Sequence, residues 1–164
     1  MIIMGVDPGL KVTGYGVISF QNNTLKSLHY GGIRTDPDLS TPQRLKRIYD
    51  ALSRVIREYR PDVLVVEELF FNRNVNTAFA VGMARGVTML AAEMEGVPVD
   101  SYTPLQVKQA VVGYGRASKN QIQQMVKVLL GLREAPAPDD AADALALAIC
   151  HANSYRLSQM LNHV

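Results

Sequence analysis

Cysteine is almost missing from this 164-residue chain: the single Cys150 sits inside an Ala/Leu/Ile run. One cysteine excludes an internal disulfide framework, and its setting predicts a buried thiol kept reduced in a cytoplasmic protein. Long apolar runs are missing as well. The most apolar stretch, Thr77–Ala92, is broken by Arg85, short of the ~18 residues that span a bilayer, so no membrane partner is expected. The N-terminus has no basic region followed by a cleavage site, and no export signal is read there. G-x-x-x-x-G-K, G-x-S-x-G and H-E-x-x-H do not occur, and His29, His151 and His163 lack metal-ligand spacing. These absences remove the P-loop, serine-hydrolase and zinc-protease readings. No repeat, low-complexity tract or linker interrupts the chain, so residues 1–164 are expected to form one domain with a full-sized core.

A net charge of +2 is too small to announce a nucleic-acid binder. Its distribution is more informative. Pro104–Arg133 holds Lys108, Arg116, Lys119, Lys127 and Arg133 without one acidic residue, and then Glu134, Asp139, Asp140 and Asp143 follow. A basic tract beside a carboxylate cluster suits a protein that holds a polyanion and places cations on it. The plainer reading is a solvated basic helix face.

Hydropathy periodicity gives the elements. Ile2-Ile3-Met4 opens a buried strand that stops at Asp7-Pro8-Gly9, a turn signal, and Thr13–Ile18 returns as a second strand. Leu25–Ile33 completes an antiparallel meander. Ser40, Pro42 and Gln43 start a helix carrying Leu45, Ile48, Leu52, Val55, Ile56 and Tyr59 opposite a face of arginines read as solubilising. Asp62–Glu67 reads as a parallel central strand. Thr77–Glu95 is a helix apolar nearly all round, whose Gly82 and Gly86 permit close approach of the sheet or of a second subunit. Val97-Pro98-Val99 is a last short strand. Two further helices start at Thr103-Pro104 and Ser118, and a buried Ala-rich helix runs from Asp139 to about Tyr155.

Separate elements therefore deliver carboxylates to strand or helix ends: Asp7, Glu67 or its neighbour Glu68, and Asp140 with Asp143. Strand alternation sends Glu67 and Glu68 to opposite faces, without saying which one meets Asp7. Helix capping explains an acidic residue in a first turn, but not Asp143 as well. Clustered carboxylates repel unless divalent cations sit among them. All-oxygen ligands favour Mg²⁺ or Mn²⁺ over zinc, and two such ions ~3.5–4 Å apart clamp a phosphoryl displacement.

The segments GVDPGLKVTGYGVI, VVEELFF, QVKQAVVGYG and DDAADALALAICH, in that order, resemble the RuvC family of crossover junction endodeoxyribonucleases, the bacterial Holliday junction resolvases. The resemblance covers essentially the whole chain. It implies an α/β, ribonuclease-H-like fold, with a five-stranded mixed sheet flanked by helices, acting as a homodimer with two Mg²⁺ per site and Mn²⁺ able to substitute. Asp7, Glu67, Asp140 and Asp143 fall on the family's catalytic, metal-holding carboxylates, which selects Glu67 over Glu68. It further implies that Phe70 enters the junction and that Lys108 and Lys119 contact the DNA backbone. Arg73 and Arg116 are additional candidates for phosphate contacts. The implied reaction nicks two opposed strands of a four-way junction with a metal-activated water, leaving 5′-phosphate and 3′-hydroxyl ends. The implied partner is the RuvA–RuvB branch-migration complex. Another ribonuclease-H-like enzyme acting on RNA or RNA–DNA hybrids is the competing enzyme reading. An actin-like ATPase needs two such halves, and a silent junction-binding module leaves the carboxylates unexplained.

Overall fold

Strand β1 (Ile2–Asp7) lies at the centre of the molecule because it is apolar on both faces and pairs on both edges. It runs antiparallel to β2 (Val12–Gln21) and parallel to β4 (Val63–Glu67). With β3 (Thr24–Arg34) and β5 (Val99–Tyr102) it forms a five-stranded mixed sheet in the order β3-β2-β1-β4-β5. The computed structural model describes residues 1–68 and 75–161. The β2–β3 reversal uses Asn22 and Asn23, at φ 49° and 60°, the left-handed pair that a tight hairpin turn demands and that asparagine tolerates. The β1–β2 loop works differently. Gly9 keeps an ordinary φ, and the fully buried Thr13 locks the loop by donating to the Gly9 carbonyl at 2.7 Å.

Alternation along the strands divides the core in two. On one face Met4, Val6, Val17, Leu64 and Val66 pack against Ile48, Leu52 and Ile56 of α1 (Thr41–Tyr59) and Ala84, Ala91 and Ala92 of α2 (Val75–Met94). On the other, Ile3, Ile18 and Val65 meet Leu145 and Ile149 of α5 (Asp139–Leu161), with Val107 and Val111 of α3 (Pro104–Val112) and Ile122 and Val126 of α4 (Lys119–Leu129) outside it. Helices α1, α3 and α4 each begin with a complete capping box, at Ser40, Thr103 and Ser118, so their starts are fixed by local chemistry.

Three expectations shift. The last strand is Val99–Tyr102, because the Val97 amide bonds back to Ala92 O at 2.9 Å and closes the end of α2 instead. Helix α5 continues past Tyr155 to Leu161, where exposed Leu157, Met160 and Leu161 give no buried stripe for periodicity to detect. Helix α2 has, by length and mean hydropathy, what a membrane span requires, despite Arg85. That arginine turns back to the body of the protein, donating to Glu67 O and Ser101 Oγ.

The glycines that allow a helix to approach the sheet closely are not those of α2. Gly82 and Gly86 face open space. A Cβ on Gly5 would overlap the Ala144 carbonyl, and one on Gly14 would overlap the backbone of Asp140. Helix α5 thus lies main chain against the sheet, and its acidic first turns are carried to the end of β1.

Candidate active site

Asp7 and Glu67 end adjacent parallel strands, so the sheet itself sets them side by side. Asp143 comes down from α5, one turn beyond its N-terminus. The three line one pocket of ≈ 240 Å³ together with Lys108, Lys119 and the apolar Val107, Ile122 and Leu147. Glu68 is exposed outside it, its amide paired with Tyr102 O at 2.9 Å. The strand end therefore turns Glu67, not Glu68, toward Asp7.

Electrostatics follow from that convergence. Burial first, then the carboxylates of Asp143, Asp140 and Glu67, push the Asp7 carboxyl up from 3.8 to about 7, with Lys119 opposing them. Glu67 is raised by burial and by Asp143, against Lys108. Asp143 is also raised, mainly by burial, although Lys119 works in the other direction. Lys119 Nζ lies 3.0 Å from Asp143 and 3.8 Å from Asp139. The site holds more negative charge than its own lysines balance.

The loop beside Asp7 is held by contacts that hydropathy patterns do not signal. Thr35, 5 % exposed, donates to Leu10 O, and Arg44 donates to Thr35 Oγ1 at 2.7 Å and to Leu10 O at 3.2 Å. Arg44 is thus removed from the solubilising face on which its spacing places it. A threonine four residues beyond the glycine of the Pro-Gly turn is the available signal for Thr13. Thr35 and Arg44 lie far from the loop in sequence and carry no such signal.

Among the described residues, no group of three acidic, histidine or cysteine side chains is closed around one point as an ion would require; Asp143 turns to Lys119 instead. The donor chemistry nonetheless fits a hard divalent cation: oxygen ligands only, from three rigid elements, with proton affinity raised first by burial and then by neighbouring carboxylates. Asp140 packs its backbone on Gly14 and stands outside the pocket lining, though its charge is felt at Asp7. Lys108 and Lys119 flank the pocket. Arg116 is exposed between α3 and α4 and does not line it. Phe70 and Arg73 lie outside the described residues.

Comparison with known proteins bears on the chain and its fold as a whole. The family model "Crossover junction endodeoxyribonuclease RuvC" matches residues 3–151. A protein of that name from Alkaliphilus oremlandii is 58% identical over 160 residues, 98% of either chain. The RuvC of Thermus thermophilus, solved in complex with a Holliday junction substrate, is 40% identical with a TM-score of 0.91 over 96% of each chain. A yeast mitochondrial Holliday junction resolvase shares only 17% of its sequence but has a TM-score of 0.67 over 98% of this chain and 83% of its own, which extends the likeness of fold alone. Match length, identity and fold together place the chain in the RuvC family of crossover junction endodeoxyribonucleases.

Proposed function

We infer that the protein resolves four-way DNA junctions, as a metal-dependent endonuclease of its family. The observation that carries the chemistry is the convergence of Asp7, Glu67 and Asp143 on one pocket beside Lys108 and Lys119. The RNA-directed alternative is not favoured, because the Thermus relative is held on a Holliday junction.

The finer reading is as follows. Asp7, Glu67, Asp140 and Asp143 hold the metal, two Mg²⁺ with Mn²⁺ able to substitute. When bound, such ions polarise the scissile phosphate and ease ionisation of the attacking water. Lys119 holds Asp143 in place as a provisional counter-ion and, with Lys108, draws a phosphate to the pocket mouth. Val107, Ile122 and Leu147 form a wall that excludes bulk water and strengthens these charges. Phe70 at the junction, with Arg73 and Arg116 on phosphates, completes the DNA contacts. The nicks are paired and leave 5′-phosphate and 3′-hydroxyl ends.

Paired nicks from one carboxylate set per chain call for a homodimer, and most homodimers use a self-complementary patch. Helix α2 is the patch we assign. Its Phe79, Leu90 and Met94 are 69 %, 52 % and 65 % exposed, and Gly82 and Gly86 leave room beside them. Residues 1–164 act as one cytoplasmic domain, supplied with junctions by a RuvA–RuvB complex. The test is cleavage of a synthetic four-way junction and an RNA–DNA hybrid with and without Mg²⁺. Metal-dependent cutting of the junction alone is expected, and preference for the hybrid would overturn the reading.

A further inference from the structure

Away from the pocket, the edge strand β3 and helix α1 enclose a groove of ≈ 570 Å³. Exposed Arg34, Lys46, Arg47 and Arg54 line it against a single carboxylate, Asp50, which Lys46 engages at 2.6 Å. Among the described residues no carboxylate lies within ion-pair distance of Arg34, Arg47 or Arg54. Two of them are anchored by neutral acceptors instead: Arg47 Nε donates to Arg34 O at 2.9 Å and Arg54 Nε to Asp50 O at 3.3 Å. Tying Nε to the main chain fixes the guanidinium plane without neutralising its charge. That is the preorganisation a phosphate ligand rewards.

Position strengthens the case. Arg34 pairs across β2 with Val12, and Asp7 pairs with Gly14. At ~4.8 Å per strand and ~3.3 Å per residue, the groove begins about 12 Å of backbone away from Asp7, at the same end of the sheet. From Arg47 to Arg54 the helix rises about 10 Å, a length that passes three phosphates of one DNA strand. A four-way junction carries polyanionic arms away from its exchange point, and the catalytic pocket engages only that point.

We propose that the β3–α1 groove is a second phosphate-binding track, which seats a duplex arm of the junction through Arg34, Arg47 and Arg54. The inference rests on the junction-resolving activity. A merely solubilising edge, the other use of charge beside an outer strand, carries no salt-linked contact with DNA.

The experiment measures junction affinity between 50 and 200 mM salt for the parent, Arg47→Ala/Arg54→Ala and Arg57→Ala, each in Ca²⁺ to suppress cutting and each checked for an unchanged unfolding transition. Arg57 lies on the same helix but pairs with Glu95 outside the groove. Loss of two phosphate contacts should lower the salt slope by about 2, so the double variant loses about 12-fold less affinity than the parent over that range. Arg47→Lys/Arg54→Lys should restore the slope in part. Junctions whose arms are cut back to a few base pairs should abolish the difference. An unaltered slope in the double variant, or an equal fall in Arg57→Ala, overturns the proposal. Failure of the parent to prefer a junction over linear duplex overturns the activity reading instead.

Discussion

Asp7 is held in a setting that its own charge opposes, and replacing it should stabilise the metal-free protein. Burial and three neighbouring carboxylates lift its pKa from 3.8 to about 7. At about 1.36 kcal/mol per tenfold change, that sets a ceiling of ~4 kcal/mol on the cost of ionising it. The sign runs one way. The folded chain keeps the proton that the unfolded chain has released between pH 3.8 and about 7, so stability is greatest below that window and falls as pH rises through it. Titration shared with Glu67 and Asp143 roughly halves what one substitution recovers, leaving ~2 kcal/mol. In a chain of this size ~2 kcal/mol moves the melting temperature by about 4–8 °C. Asp7→Asn in EDTA at pH 8 should therefore melt higher than the parent by that amount and lose about half of the parent's decline between about pH 5.5 and 7. Excess Mg²⁺ should raise the parent's melting temperature far more than the variant's. Cleavage should vanish in the variant while junction binding survives. A variant melting lower than the parent at pH 8, or a parent whose stability is flat over the window, would refute the reasoning.

Glu67→Gln and Asp143→Asn should likewise abolish cleavage with binding intact in a gel-shift assay, whereas Glu68→Gln should cut almost normally; the reverse order would reassign the strand end. Lys108→Ala and Lys119→Ala should each weaken binding and lower the salt slope by about one if each neutralises one phosphate. Gly5→Ala places a methyl group on the Ala144 carbonyl and should cost at least the ~1–3 kcal/mol of an overpacked core in denaturant unfolding; a neutral result would mean that α5 shifts freely. Met89→Glu changes a side chain 38 % exposed on α2 and should give a folded monomer in sedimentation. A dimer of unchanged affinity would remove that side chain from the interface.

Much of this was legible in the residues because local chemistry fixed it. Ser40, Thr103 and Ser118 each announce a helix start through their own capping partners, and the apolar run before Glu67 could be little but a central strand. What stayed hidden depended on contacts between distant segments. Small residues in α2 were open to close approach by the sheet or by a second subunit; against the sheet the closest approach uses Gly5 and Gly14 under α5, since a glycine in a strand does not name what lies above it. Period-2 reasoning left the choice between Glu67 and Glu68 open; the family resemblance selected Glu67, and the end of the sheet brings that side chain to the pocket of Asp7. Arg44 reads as surface by spacing, yet the loop carbonyl of Leu10 draws it inward. Lys119, expected on the DNA backbone, rests against Asp143, an encounter between two helices that no window of sequence contains.

The seating of α5 on bare backbone also determines what the catalytic gap can tolerate. Side chains in a core have rotamers to exchange, so a gap spaced by them drifts when neighbours change size. Here the spacer between Asp7 and the first turns of α5 is the thickness of two polypeptide main chains, a dimension with no softer setting. Substitutions elsewhere in the core can loosen the protein without altering the separation at which its acids meet. The converse is equally strict: one added methyl on the sheet side changes that separation at once, whatever the rest of the sequence does to compensate.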